Sequence, residues 1–199
     1  GFESYIAKDG EEFKLGNVVI KALHTPGHTM ESTTYLLKGE NGKDNAIFSG
    51  DTLFLGDVGR PDLAQKAASM TQEELAGILF DSLREKIMPL ADEVIVYPGH
   101  GAGSACGKNM MKETVDLLGN QKKMNYALRA DMTREEFIKE VTDGLVKPPA
   151  YFPENVRMNK GGYKSFEDVM RQGMTPLSPS AFEAAANETD AVVLDTRDP

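Results

Sequence analysis

Cysteine is all but missing from this 199-residue chain. Cys106 stands alone, which excludes an intrachain disulfide, fits a reducing compartment and leaves stability to packing. Positive charge is also short, with 22 Lys and Arg against 31 Asp and Glu and a net charge of −9. That balance argues against a nucleic-acid or anionic-membrane partner, since both need a clustered basic face. No apolar run is long enough to span a bilayer, and no charged-then-apolar start looks like a signal peptide. The expected setting is therefore cytoplasmic. Internal repeats and low-complexity runs are lacking too. Histidine is scarce, with only His24, His28 and His100. The remaining composition, 40% hydrophobic and 27% charged, is that of an ordinary globular protein, and the length lies between one large domain and two small ones.

The few histidines sit in a pattern. Val18 to Leu23 is an apolar run that reads as a buried strand with His24 at its end, and Thr25-Pro26-Gly27-His28-Thr29 turns sharply just beyond it. Ala46-Ile47-Phe48 runs likewise into Ser49-Gly50-Asp51, and Val94 to Tyr97 runs into Pro98-Gly99-His100. Three short strands, each followed by glycine and then a histidine or carboxylate, predict one cluster at the carboxyl ends of a sheet. Imidazole, imidazole and carboxylate together are metal-ligand chemistry. The plainer alternatives are a strand-capping turn histidine for His28 and a loop Asx-turn for Asp51.

Around these strands the other elements follow in order. Residues 1–16, with Phe2, Tyr5, Ile6 and Phe13 about Asp9-Gly10-Glu11, suggest two short strands and a turn. Thr33 to Leu37 reads as a strand, and residues 39–44 as a hairpin loop. Residues 52–63 form a long loop, and loops at strand ends are where sites usually lie. Thr71-x-x-Glu74 is a capping box opening a helix with Leu75, Ile78, Leu79, Leu83 and Ile87 at helical spacing. Residues 101–107 are a small-residue loop, 109–118 a predicted helix, and Thr133-x-x-Glu136 caps another with Phe137, Ile138 and Val141 on its apolar side.

From Lys147 the character changes. Residues 147–153 hold three prolines and read as an extended, semi-rigid linker, continued by Gly161-Gly162 and residues 173–176 with a short helix from Ser165 between them. Ser180-x-x-Glu183 predicts a helix cap, and Ala191 to Leu194 a buried strand ending in Asp195-Thr196-Arg197. The predicted domains are 1–146, a linker over 147–175, and 176–199 as the opening of a further domain. The chain opens at Gly1 without an initiator methionine and reads as a piece of something longer.

Thr25-Pro-Gly-His-Thr29, Ser49-Gly-Asp-Thr-Leu-Phe54 and Tyr97-Pro-Gly-His100, in that order, resemble the metallo-β-lactamase-fold hydrolases and oxygenases. Gly56-Asp-Val-Gly-Arg-Pro-Asp-Leu63, residues 99–107 and Pro148-Pro-Ala-Tyr-Phe-Pro153 resemble the persulfide dioxygenase branch. The Gly-His-Glu-Tyr-type third motif of the glyoxalase II branch is not found. Val192-Val-Leu-Asp-Thr-Arg197 resembles the start of a rhodanese domain. The implied fold class is α/β (α+β): the C-terminal part of a metallo-β-lactamase-like αββα sandwich, a linker, and the beginning of an α/β rhodanese domain. The superfamily's His-x-His-x-Asp-His motif is not among these residues and is expected upstream.

The resemblance also implies roles. His28 and Asp51, with a histidine of the upstream motif, would hold a mononuclear iron(II), leaving coordination positions for a sulfur substrate and O₂. His100 is expected beside the iron, orienting a ligand, or as a ligand of a second metal in a zinc hydrolase. His24 is expected to be structural or to support a ligand from behind. Arg60 either pairs with Asp62 or meets a substrate carboxylate. Cys106 is either a small packed residue or a participant in persulfide handling. Asp195 and Arg197 would brace the rhodanese fold. The implied activity is oxidation of a thiol persulfide, such as glutathione persulfide, to sulfite by O₂, linked to rhodanese sulfur transfer. The rivals are a zinc-dependent glyoxalase II-like thioester hydrolase and a catalytically silent scaffold. Half of a two-sheet sandwich would expose an apolar face, so a homo-oligomer, or completion by further residues, is expected.

Overall fold

The computed structural model describes residues 5–189 and 192–195. It divides into two compact units, one ending at Pro149 and the other beginning at Ala150. The first unit is built on a mixed six-stranded sheet in the order β1 (Glu12–Leu15), β2 (Val18–His24), β3 (Thr33–Lys38), β4 (Asp44–Gly50), β5 (Ile95–Pro98) and β6 (Asp116–Leu117). β2, β3 and β4 pair antiparallel, while β4 and β5 run parallel. β2, β4 and β5 therefore point the same way, and the three histidine- and carboxylate-bearing turns emerge at one end of the sheet.

The strand pleat sends alternate residues to opposite faces. Leu36, Ile47 and Val96 face inward and join Leu79, Leu83, Phe137 and Val141 in a continuous core. Each such aliphatic side chain contributes about 1.5–3 kcal/mol by leaving water. Their neighbours Tyr35, Phe48 and Tyr97 lie on the other face and stay exposed, with Phe48 stacked on Tyr97 at 5.4 Å between ring centroids. These aromatics give that face of the sheet an exposed apolar patch.

After a short helix, α1 (Gln65–Ala68), comes α2 (Gln72–Ser82), which opens on the predicted capping box: Thr71 Oγ1 accepts from Glu74 N and Glu74 returns the bond to Thr71 N. A π-helical stretch, Leu83–Ile87, continues it and carries the predicted apolar stripe to its end. The second capping box likewise forms, at Thr133, and opens α4 (Arg134–Thr142). Before it stands α3 (Leu118–Met124).

Several expectations are corrected. Of the two strands expected before residue 16, only β1 forms among the described residues, and Tyr5 and Ile6 are exposed. Residues 109–115 are not helical; Asn109 N bonds Asp57 and Met111 N bonds Leu55 O, which ties the segment to the loop over residues 52–63. The helix begins only at Leu118.

The Pro-rich stretch is irregular only to Pro149; in the second unit Ala150 and Tyr151 turn and α5 (Phe152–Gly161) follows with proline in its first turn, where a missing N–H costs nothing. α6 (Phe166–Gly173) starts after its Ser165 cap as expected. α7 (Pro179–Glu188) is capped by Ser178 rather than Ser180, because Pro179 is suited to the first helical position. Val192, Val193 and Leu194 form no strand and are exposed. A strand needs a partner for its backbone groups, and none pairs there among the described residues. Ala191, Thr196 and Arg197 lie outside the described residues. No described helix is long and apolar enough to cross a membrane.

Candidate metal centre

The turn carrying His28 is set down on α2. Gly27 has φ +135°, and a Cβ there would lie 2.4 Å from Leu79 Cβ, so only glycine lets the turn approach the helix so closely. Ser82 Oγ donates to Pro26 O at 2.7 Å from the same helix. Behind the turn, a buried hydroxyl cluster joins two of the motifs: Thr25 Oγ1 lies 2.9 Å from Thr52 Oγ1 and 3.1 Å from Thr34 Oγ1. Thr52 follows Asp51 directly, so this cluster fixes the carboxylate's strand end relative to the histidine's.

His28 and His100 converge on one oxygen. His28 Nε2 is 3.3 Å and His100 Nε2 3.4 Å from Asp51 Oδ2. On its other side, His28 Nδ1 lies 2.8 Å from the carbonyl oxygen of Arg60. A carbonyl only accepts, so Nδ1 carries a proton and points it at Arg60, which fixes the ring with Nε2 toward the carboxylate. Burial pushes the Asp51 carboxyl up, but the hydrogen bond and charge of His28 and the charge and hydrogen bond of His100 outweigh it, and the group stays below its ordinary value of 3.8. Asp51 is thus an anion, and an imidazole pair with a carboxylate suits a borderline divalent metal.

Cys106 belongs to the same place. Its Sγ, a ring nitrogen of His100 and a carboxylate oxygen of Asp51 all lie within 4.8 Å of one another. His28 is largely buried and His100 is 43% exposed, so the cluster opens on the His100 side. The buried ring of Phe54 stands 6.0 Å from that of His100. His24 turns away: its Nε2 meets Met30 O at 2.8 Å, a structural contact that closes the loop before β3.

The loop over residues 52–63 is held from behind. Gly59 passes so close to the site that a Cβ would fall 1.9 Å from Asp51 O and 3.0 Å from His28 Cγ. Arg60 is buried, and both oxygens of Asp62 take its Nε and Nη2 at 2.9 and 2.7 Å. The loop-bracing ion pair is the alternative that forms. Asp57, also buried, accepts from Asn109 N at 2.7 Å and Tyr126 Oη at 2.9 Å, as well as from Lys108 N. Asn125 Nδ2 donates to the carbonyls of Phe54 and Asp57. Sequence reasoning missed Asp57, Asn125, Tyr126 and the threonine cluster. Asp57 lies inside a stretch already singled out, but Asn125 and Tyr126 carry no local signal, since they serve a loop some seventy residues away in sequence.

No family model matches the chain. A Staphylococcus aureus metallo-β-lactamase structure superposes with a TM-score of 0.71 at 34% identity, over 80% of this chain and 45% of that one. The chain is a metallo-β-lactamase superfamily protein. Within the superfamily it is related to ETHE1 and glyoxalase II. ETHE1 from Myxococcus xanthus superposes with a TM-score of 0.61 at 30% identity, over 79% of this chain and 60% of that one. The hydroxyacylglutathione hydrolase GloC of Haemophilus influenzae is 32% identical over 106 residues, 53% of this chain and 44% of that protein. The chain spans less than half the length of such curated relatives.

Proposed function

We propose that the intact protein is a persulfide dioxygenase that oxidises a thiol persulfide such as glutathione persulfide with O₂. One persulfide, one O₂ and one water give the free thiol and sulfite: the outer sulfur is oxidised, O₂ is reduced, and the S–S bond breaks toward the thiol. The observation that carries the reading is the convergence of His28 and His100 on Asp51 with the Cys106 thiol alongside. The motif around Gly56 to Leu63 and the likeness to ETHE1 support the same branch. His28 and Asp51 would hold an iron(II), together with a histidine of an upstream segment. When bound, the iron would supply open coordination positions that bring the sulfur and O₂ together, the net electrons coming from the outer sulfur.

The chain's own residues set the conditions. The Arg60 carbonyl keeps the proton on His28 Nδ1, leaving Nε2 free to donate its lone pair. Asp51 contributes negative charge. His100, on the open side, is positioned to orient a ligand or hydrogen-bond an incoming anionic sulfur. The buried Phe54 ring backs the His100 ring. Further rhodanese chemistry would lie beyond these residues.

The named hydroxyacylglutathione hydrolases among the relatives favour a second reading, a zinc-dependent thioester hydrolase. There His100 would bind a second zinc, and bound water would be activated. Metal analysis of the full-length protein purified without chelators separates the two. About one iron per chain with O₂ consumption on glutathione persulfide supports the dioxygenase. Two zincs and anaerobic cleavage of S-lactoylglutathione support the hydrolase and overturn the first reading.

A further inference from the structure

Arg60 touches two members of the centre, His28 and Cys106, through its main chain, and its buried guanidinium holds the segments around them. Its carbonyl accepts from His28 Nδ1 at 2.8 Å, and its amide N donates to Cys106 O at 3.3 Å. The guanidinium grips both oxygens of Asp62, donates to Ala105 O at 3.1 Å and reaches Val146 O, next to the start of the Pro-rich stretch. Three chain segments, around residues 60, 105 and 146, are therefore pinned to one planar fork. Lysine, a point charge on a flexible stem, cannot reproduce it.

Two further features aim the Arg60 carbonyl. Pro61 follows with φ −79°, and a residue before proline is confined to extended conformations. Gly59 precedes, pressed against Asp51 O, so the peptide on that side has little room to rotate. We propose that Arg60, locked by Asp62, is a positioning residue for His28: the fork holds the carbonyl that fixes the ring's tautomer and direction, and it ties the Cys106 loop and the Val146 segment to the same anchor. The inference rests on the proposed metal centre, but its core, the state of the His28 ring, stands without a metal.

The test uses the full-length protein with Arg60→Lys and Asp62→Asn, alongside Arg84→Met as a control. Arg84 also donates to two carbonyls, those of Ala127 and Arg129, away from the centre. Binding of cobalt(II) is followed by its visible absorption, and the protonation pattern of the His28 ring by ¹⁵N NMR of the metal-free protein. The expected result is cobalt binding weakened about 10- to 100-fold in both site variants and unchanged in the control at a comparable loss of melting temperature. The NMR should show a proton held on Nδ1 in the parent and a mixture of tautomers in Arg60→Lys. Cobalt affinity within twofold of the parent, together with an unaltered Nδ1–H signal, overturns the proposal. If the parent itself binds no cobalt, the metal reading fails, and the ring's NMR pattern alone decides whether Arg60 positions it.

Discussion

Tyr126 donates its phenolic hydrogen to Asp57 at 2.9 Å, linking the end of α3 to the loop that backs the metal centre. Burial, the Asp57 charge and that hydrogen bond all push the tyrosine's ionisation upward, so it remains a donor at every pH at which the fold is stable. Tyr126→Phe leaves a buried carboxylate one donor short. The expected cost is about 2 kcal/mol, typical of a hydrogen bond to a charged group, read as a lower urea midpoint with an unchanged slope.

Gly59→Ala places a methyl group against the main chain of Asp51 and near the His28 ring. The backbone must shift to admit it, at about 1–3 kcal/mol or more. Metal stoichiometry should fall with the melting temperature, because the shift moves two donors at once. Retention of full metal content would show that the loop yields away from the site.

Asp51→Asn keeps the shape of the side chain and removes its charge. The two histidines would then converge on a neutral amide oxygen, a weaker partner for any cation. Elemental analysis should show metal far below one per chain while circular dichroism stays that of the parent. Stoichiometric metal in this variant would mean that the carboxylate is not a ligand.

Asp9 gives a pH signature beside the end of β2, where it accepts from His24 N and pairs with Lys86. The bond from Lys86 lowers its carboxyl most, the bond from His24 N adds to this, and burial opposes both. A folded-state value below the ordinary 3.8 means the ionised group stabilises the fold above that pH. The contribution is lost as pH falls through the lower folded value. Asp9→Asn should therefore be less stable than the parent at about pH 6, with the gap closing by about pH 2.5. Urea unfolding at the two pH values measures it, and a gap of constant size would remove Asp9 from the acid response.

Local chemistry made much of the chain legible. Both capping boxes, at Thr71 and Thr133, opened helices because Thr followed three residues later by Glu satisfies free amides locally, whereas at Ser180 the neighbouring Pro179 moved the cap to Ser178. The strands ending at His24, Gly50 and Pro98 were legible because apolar runs bounded by glycine and proline have few other outcomes. Where local signals competed with distant partners, they lost. Residues 109–115 have helical composition, yet the segment lies tied to Leu55 and Asp57 through the amides of Met111 and Asn109 and forms no helix.

The sequence by itself determined which residue types stand at the strand ends, and through the order of the motifs it determined the superfamily. Only the tertiary structure decided that His28 and His100 meet at a single oxygen of Asp51, because that depends on β2, β4 and β5 pointing the same way. It also decided that Arg60 is occupied by Asp62 and two carbonyls rather than left free for a substrate. The physical reason is range. Capping and turn chemistry act within a few residues, whereas the groups that aim a ligand are brought together by packing across the whole unit.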